Sequence, residues 1–202
     1  MSDNLKSIID AVWPEVKKRH LFPEMPIPVV ASGEDVGGMS AMRMVDKQIL
    51  VDGGIAGELA SRMGPEVAMS ALLDHAVAHH TTCPWDFDTH LSLYAALKPV
   101  LLDGNLVKQV VDYFVDVVAD THCVKKRESR LPELYRAMDK DGLREVVCGL
   151  YQTLWGEDLG AEAAPDTVER LSLIPYLDRS RWGVTFHRIG DAARQGPYEN
   201  DR

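Results

Sequence analysis

The run Pro65–Thr82 constrains this chain more than any other stretch. Val67, Leu72 and Val77 are apolar, and Ala68, Ala71, Ala76 and Ala78 are small residues set between them. Pro65 and Glu66 suit a first helical turn, where a missing N–H costs nothing and a negative charge complements the helix dipole. A helix this apolar belongs inside the protein, so the other elements must be arranged around it. Its alanines let another backbone or a metal ligand approach closely. Two of its polar residues, His75 and His79, are four apart and project from one face, one turn above the other. Imidazoles stacked in this way form the helical half of many zinc sites. Such pairs also arise by chance on ordinary helices, where one ring is simply a hydrogen-bonded core histidine. Burial sharpens the metal reading, because each ring nitrogen inside a core needs a partner. A metal on one nitrogen and a carboxylate on the other satisfies both.

A chain of 202 residues favours one domain, here taken as residues 1–202, and an apolar fraction of 46% can fill a substantial core. Lysine and arginine number 22 against 31 acidic residues, a net charge of −9 that argues against a sequence-independent nucleic-acid binder. No apolar run reaches membrane-spanning length, and the acid and amide residues of the first ten positions are unlike a secretory signal. Cys83, Cys123 and Cys148 are an odd set with no close pairing, which fits a reduced, cytoplasmic setting.

Along the chain, Ser2–Arg19 reads as an amphipathic helix with Asp3 as N-cap and Leu5, Ile8, Ile9, Val12 and Val16 as its stripe, kinked or split at Pro14. Ile27, Val29 and Val30 read as a short strand after a proline-rich segment. Gly33, Gly37 and Gly38 mark a loop, without the lysine and following helix of a phosphate loop. Met39–Met44 and Gln48–Val51, about a turn at Asp46-Lys47, read as a hairpin. A short helix follows to Met63. A second long helix, residues 105–126, carries Asp112, Asp116 and Asp120 at every fourth position, a carboxylate stripe along one face. Its flanking residues are nearly all apolar, whereas a solvated face would carry lysines and glutamates too. Three stacked acids repel one another, so a positive charge among them is expected. Asp86, Asp88 and His90 are further metal candidates that read first as capping or supporting residues at a helix start. His122 is a weaker ligand candidate because it lies off the stripe, and Cys83, near His79, reads as a small buried thiol before a thiolate ligand. The remainder, 131–195, is read as mainly helical. The fold class is α+β: a small twisted sheet of about three or four strands beside a helical bundle.

The strand Gln48–Asp52, the Gly/Pro break and the helix with His-x-x-x-His together resemble the zincin metallopeptidases. In particular they are similar to the gluzincin branch, over Ile27 to Val124. The resemblance implies a zinc-dependent peptidase with His75 and His79 as ligands. By the family's Glu-x-x-x-Asp pattern, matched here by Asp116-Val117-Val118-Ala119-Asp120, Asp116 is the third ligand and Asp120 orients a zinc histidine, with Asp112 a further orienting acid. It also implies a peptide or protein substrate held extended along the strand Ile49-Leu50-Val51, and a late residue, His187, Tyr151 or Tyr176, steadying the oxyanion. One departure is large. The family motif has Glu as general base one residue after the first histidine, and Ala76 stands there. Two accounts fit: natural loss of catalysis, or a substitution made to inactivate an enzyme. With Ala76 the resemblance implies metal binding without turnover. The alternatives are a zincin-like binding module serving another protein, including a regulatory partner, and a two-metal carboxylate site using all three aspartates.

Overall fold

The computed structural model describes residues 2–36, 41–83, 87–99, 101, 103–140 and 142–162. At its centre lies a helix, α4 (Pro65–Thr81), and the α1, α3, α6 and α7 helices all pack against it. Ala68, Met69, Ala71, Leu72, Leu73, Ala76, Val77 and Ala78 are buried around almost its whole circumference. The order of elements is α1 (Ser2–Arg19), β1 (Val29–Ala31), α2 (Gly33–Val36), β2 (Met42–Val45), β3 (Gln48–Asp52), α3 (Gly53–Met63), α4, α5 (Phe87–Leu97), α6 (Gly104–Lys126), α7 (Leu131–Ala137) and α8 (Gly142–Trp155). The fold is α+β, mainly helical with one small mixed sheet.

The N-terminal helix is not split. α1 runs unbroken from Ser2, ahead of Asp3, and continues through Pro14. Pro14 lies on the exposed side, so the carbonyl it leaves unbonded, that of the exposed Asp10, faces water. Ile9, Trp13 and Val16, buried on either side of the proline, hold the two halves on one core.

The three strands lie in the order β1-β3-β2, with β1 parallel and β2 antiparallel to β3. Asp46 and Lys47 join β2 to β3 with φ of 49° and 68°. Left-handed conformation at both turn residues matches the right-handed twist of a tight hairpin. The glycine loop expected before β2 contains a single helical turn, α2, in which Ser32 donates to Asp35 (2.6 Å). Gly37 and Gly38 lie outside the described residues. At the end of β3 the Asp52 carboxylate accepts the Ile55 N–H (2.6 Å) and caps α3. Gly64, at φ 88°, then ends α3 and hands the chain to Pro65 of α4.

The long helix α6 has two packing partners. Val107, Val111 and Val115 meet Leu93, Tyr94, Leu97 and Leu101 beside α5, while Val117, Ala119 and Cys123 join the main core around α4. This brings the middle of α6 alongside the histidine-bearing turns of α4. No described helix is long and apolar enough to cross a membrane. Residues 163–195 of the stretch expected to be mainly helical lie outside the described residues.

Candidate metal centre

His75 and His79 on α4 meet Asp116 on α6. The two Nε2 atoms are 3.1 Å apart, and the Asp116 Oδ1 lies 3.2 Å from His79 Nε2 and 4.0 Å from His75 Nε2. The rings stand nearly perpendicular, at 81°. Ligands held at 2.0–2.1 Å in a tetrahedron stand about 3.3 Å from each other. The three atoms therefore outline one tetrahedral face, and they form a group of a size to hold one metal ion. Their side chains are 21%, 26% and 32% exposed, so a fourth position can open to solvent.

The far nitrogens of the two rings decide what the near ones can do. His75 Nδ1 lies 2.6 Å from Asp120 Oδ1, and His79 Nδ1 lies 3.1 Å from the Cys83 carbonyl oxygen. Both partners accept, so both Nδ1 atoms carry the proton. In the neutral tautomer each Nε2 then presents a lone pair, and both converge with a carboxylate oxygen on one point. Three acceptors at this spacing require a cation between them, either a metal ion or a proton. Burial alone would lower the His75 pKa, but the charge and hydrogen bond of Asp120, with the charge of Asp116, outweigh it and raise it to about 9. The site thus attracts positive charge before any ion enters it.

Asp120 is wholly buried and fully engaged. Its Oδ1 takes His75, and its Oδ2 accepts the hydroxyls of Tyr135 (2.5 Å) and Tyr151 (2.9 Å). Burial would raise its pKa; the charge and hydrogen bond of His75 and the hydrogen bond of Tyr135 more than offset that and hold it below the usual carboxylate range. Burial, together with the Asp120 charge, pushes both phenols well above their ordinary value, so they remain donors.

A cleft of about 570 Å³ opens beside the donors, walled by Met42, Leu72, Leu134 and Val147 as well as by His75 and Asp116. Tyr113 and Tyr135 also line it, two residues that sequence reasoning passed over.

Several sequence expectations change. Asp112 does not orient either histidine: it pairs with Lys108 Nζ (2.6 Å), one turn away on the same helix, and is 43% exposed. With Asp112 so paired and Asp120 saturated, the three aspartates do not converge on a second ion. Tyr151 does not face the cleft to steady an oxyanion; it is completely buried against Asp120. Asp86, His187 and Tyr176 lie outside the described residues. Ile49-Leu50-Val51 is not an edge for substrate, because β1 and β2 occupy both sides of β3, and Ile49 and Val51 are fully buried. Among the described residues the sheet edge beside the cleft is β2. Cys83 contributes its carbonyl to His79, and Asp88, His90 and His122 are outside the donor group. Ala76 is 6% exposed and belongs to the main hydrophobic core.

Behind α4 lies a second polar cluster that sequence reasoning did not find. Asp74, wholly buried, accepts Arg19 Nε (3.1 Å) and Nη2 (3.0 Å) and Ser129 Oγ (2.8 Å), and lies 3.3 Å from His20 Nε2. The other ring nitrogen of His20 is 3.3 Å from Thr81 Oγ1. One signal was available: an aspartate in the middle of an apolar helix must have partners.

Comparison of the chain with protein-family models, with curated proteins and with solved structures finds no match.

Proposed function

We propose that this protein binds one Zn²⁺ through His75, His79 and Asp116 on a zincin metallopeptidase plan of the gluzincin type, and that with Ala76 it holds the ion without hydrolysing peptides. The observation that carries this reading is the convergence of the two Nε2 atoms and a carboxylate oxygen, with each Nδ1 held by an acceptor of its own. Two imidazoles and a carboxylate suit a borderline cation such as zinc, with one position left for water. When bound, the ion supplies Lewis acidity and makes that water more acidic.

The chain's own residues supply the rest. Asp120 holds His75 in the tautomer that offers Nε2. The β2 edge at Met42 and the apolar wall of Leu72, Leu134 and Val147 suit an extended peptide with an apolar side chain. Position 76 carries only a methyl group, which cannot take a proton from water, so the step that a glutamate performs in the family has no base here. The unbridged thiols of Cys83, Cys123 and Cys148 suit a cytoplasmic setting.

The test is elemental analysis of the purified protein with its His79→Ala variant, and a peptide-cleavage assay of Ala76→Glu. One zinc per chain, lost in His79→Ala, supports the centre; a metal-free protein after dialysis against zinc overturns it. Peptide cleavage by Ala76→Glu marks a peptidase that lacks only its base. A folded, zinc-loaded but inert Ala76→Glu favours the second reading, a zincin-like module that binds a partner protein. The burial of Ala76 in the main core supports that second reading, because a carboxylate there must displace packed apolar atoms.

A further inference from the structure

We propose that Tyr135 and Tyr151 are positioning residues of the metal centre, fixing the His75 imidazole through Asp120. The inference rests on the zinc-binding reading above and adds to it a control layer two hydrogen bonds beyond His75.

Asp120 carries the hydrogen bonds that join His75 to the helices α7 and α8. Its carboxylate plane has two rotational freedoms within α6, and a single hydrogen bond from His75 fixes neither. The two phenols remove both. Tyr135 comes from α7 and Tyr151 from α8, and their hydroxyls reach the same oxygen, Oδ2, from different directions. Oδ1 is thereby aimed at His75 Nδ1 (2.6 Å). The phenols are themselves packed against aromatic neighbours. Tyr151 stacks on Trp155 with ring centres 4.2 Å apart and planes 22° apart, and Tyr135 packs 4.8 Å from Tyr151 and 5.7 Å from Trp155. Trp155 is tied in turn to α6, its indole N–H donating to Thr121 Oγ1 (2.9 Å), the residue next to Asp120. The circuit closes on itself: α6 to Asp120 to the two phenols to the indole and back to α6. A side chain oriented from a closed, buried circuit holds its angle more tightly than one oriented from a loop. The cluster also shields Asp120 from water, and water would compete for the His75 N–H.

The experiment uses the full chain as Tyr135→Phe, Tyr151→Phe and the double variant, loaded with Zn²⁺ for affinity and with Cu²⁺ for electron paramagnetic resonance. Phenylalanine keeps the ring packing and removes only the hydroxyl. The expected result is a modest loss of zinc affinity in each single variant and a 10–100-fold loss in the double, the range typical of outer partners of metal ligands. The Cu²⁺ spectrum should pass from two coordinated imidazole nitrogens to one, or to a mixture of sites. Should the double variant keep wild-type affinity and both nitrogens, the positioning role is overturned while the centre stands. If it fails to fold, Tyr151→Phe alone carries the test, and an unchanged affinity and Cu²⁺ spectrum in that variant overturns the role. Wild-type protein that binds neither ion overturns the centre and the tyrosine role together.

Discussion

Two aspartate–histidine pairs flank the same helix and do opposite things. On one face of α4, Asp74 meets His20; about a quarter turn round, His75 meets Asp120. Both aspartates are wholly buried. The Asp74 pair is supplied with its own cation, Arg19, and His20 has its second nitrogen at Thr81. Nothing further is needed, and the cluster acts as a brace tying the end of α1 and the turn at Ser129 to α4. The Asp120 pair has hydroxyls where the other has a guanidinium. Its histidine turns the second nitrogen toward His79 and Asp116, where the balancing charge is an exchangeable proton or, on the proposed reading, a metal ion in its place, and not a fixed guanidinium. The difference teaches that a buried carboxylate–imidazole pair is not in itself a metal site. What separates structure from chemistry is whether the protein supplies the balancing cation.

That contrast can be broken at several points. The largest effect on stability is expected from Arg19→Met, which strips the cation from a buried carboxylate; such losses run to about 3–5 kcal/mol. Denaturant unfolding measures it, while zinc stoichiometry of the folded fraction should stay at one per chain. If instead Arg19→Met removes zinc and spares stability, the two clusters have been assigned the wrong way round. His79→Ala should do the reverse. Zinc affinity falls by more than the roughly hundredfold that loss of an outer partner causes, with a small change in unfolding of the metal-free protein, because this ring borders the open cleft. Asp120→Asn is intermediate, about 10–100-fold in affinity by competition with a chromophoric chelator.

A pH series sharpens the same point. In the metal-free protein the His75 pKa is raised from 6.5 to about 9. Its contribution to stability is therefore complete below pH 6.5 and is lost as pH rises through 9. Zinc must displace that proton, so affinity should climb with pH until about 9 and then level off. Chelator-treated protein should lose stability over this interval, and zinc-loaded protein should not; parallel curves would show that no proton is exchanged for metal. The smallest effect is reserved for Lys108→Ala. It breaks an exposed pair with Asp112, should cost no more than about 0.5 kcal/mol, and should leave zinc affinity unchanged.

Local patterns were the legible part of the sequence. The long apolar helix with Pro65 at its head, the hairpin about Asp46-Lys47 and the helix of aspartates each depend on neighbours a few residues away. So did the α+β class, because short strands followed by helical periodicity leave little choice. The aspartate stripe was readable as a stripe, but not in its consequences. Steps of four residues on a helix of 3.6 per turn drift by about 40° each. The drift carries Asp120 into the core, leaves Asp116 at 32% exposure on the boundary and puts Asp112 at 43% beside a lysine. The central place of β3 was not readable, because it depends on β1 pairing in parallel with a strand about twenty residues later. The Asp74–His20 brace and the phenols on Asp120 likewise join residues far apart in the chain, and only packing brings them together. Tyr151 is recognisable in the sequence as a hydroxyl donor, but nothing local says that its ring is buried and its hydroxyl spent on Asp120.

Asp74 and His75 are consecutive, about 100° apart around the helix, and each is anchored to different neighbours. α4 can neither roll nor slide without tearing one set of bonds. If the proposed centre holds an ion, its cradle is therefore built without it, and removing the ion should leave the architecture upright. On the proposed zinc reading, occupancy would follow the concentration of free ion in the surroundings, on a frame that does not depend on the ion.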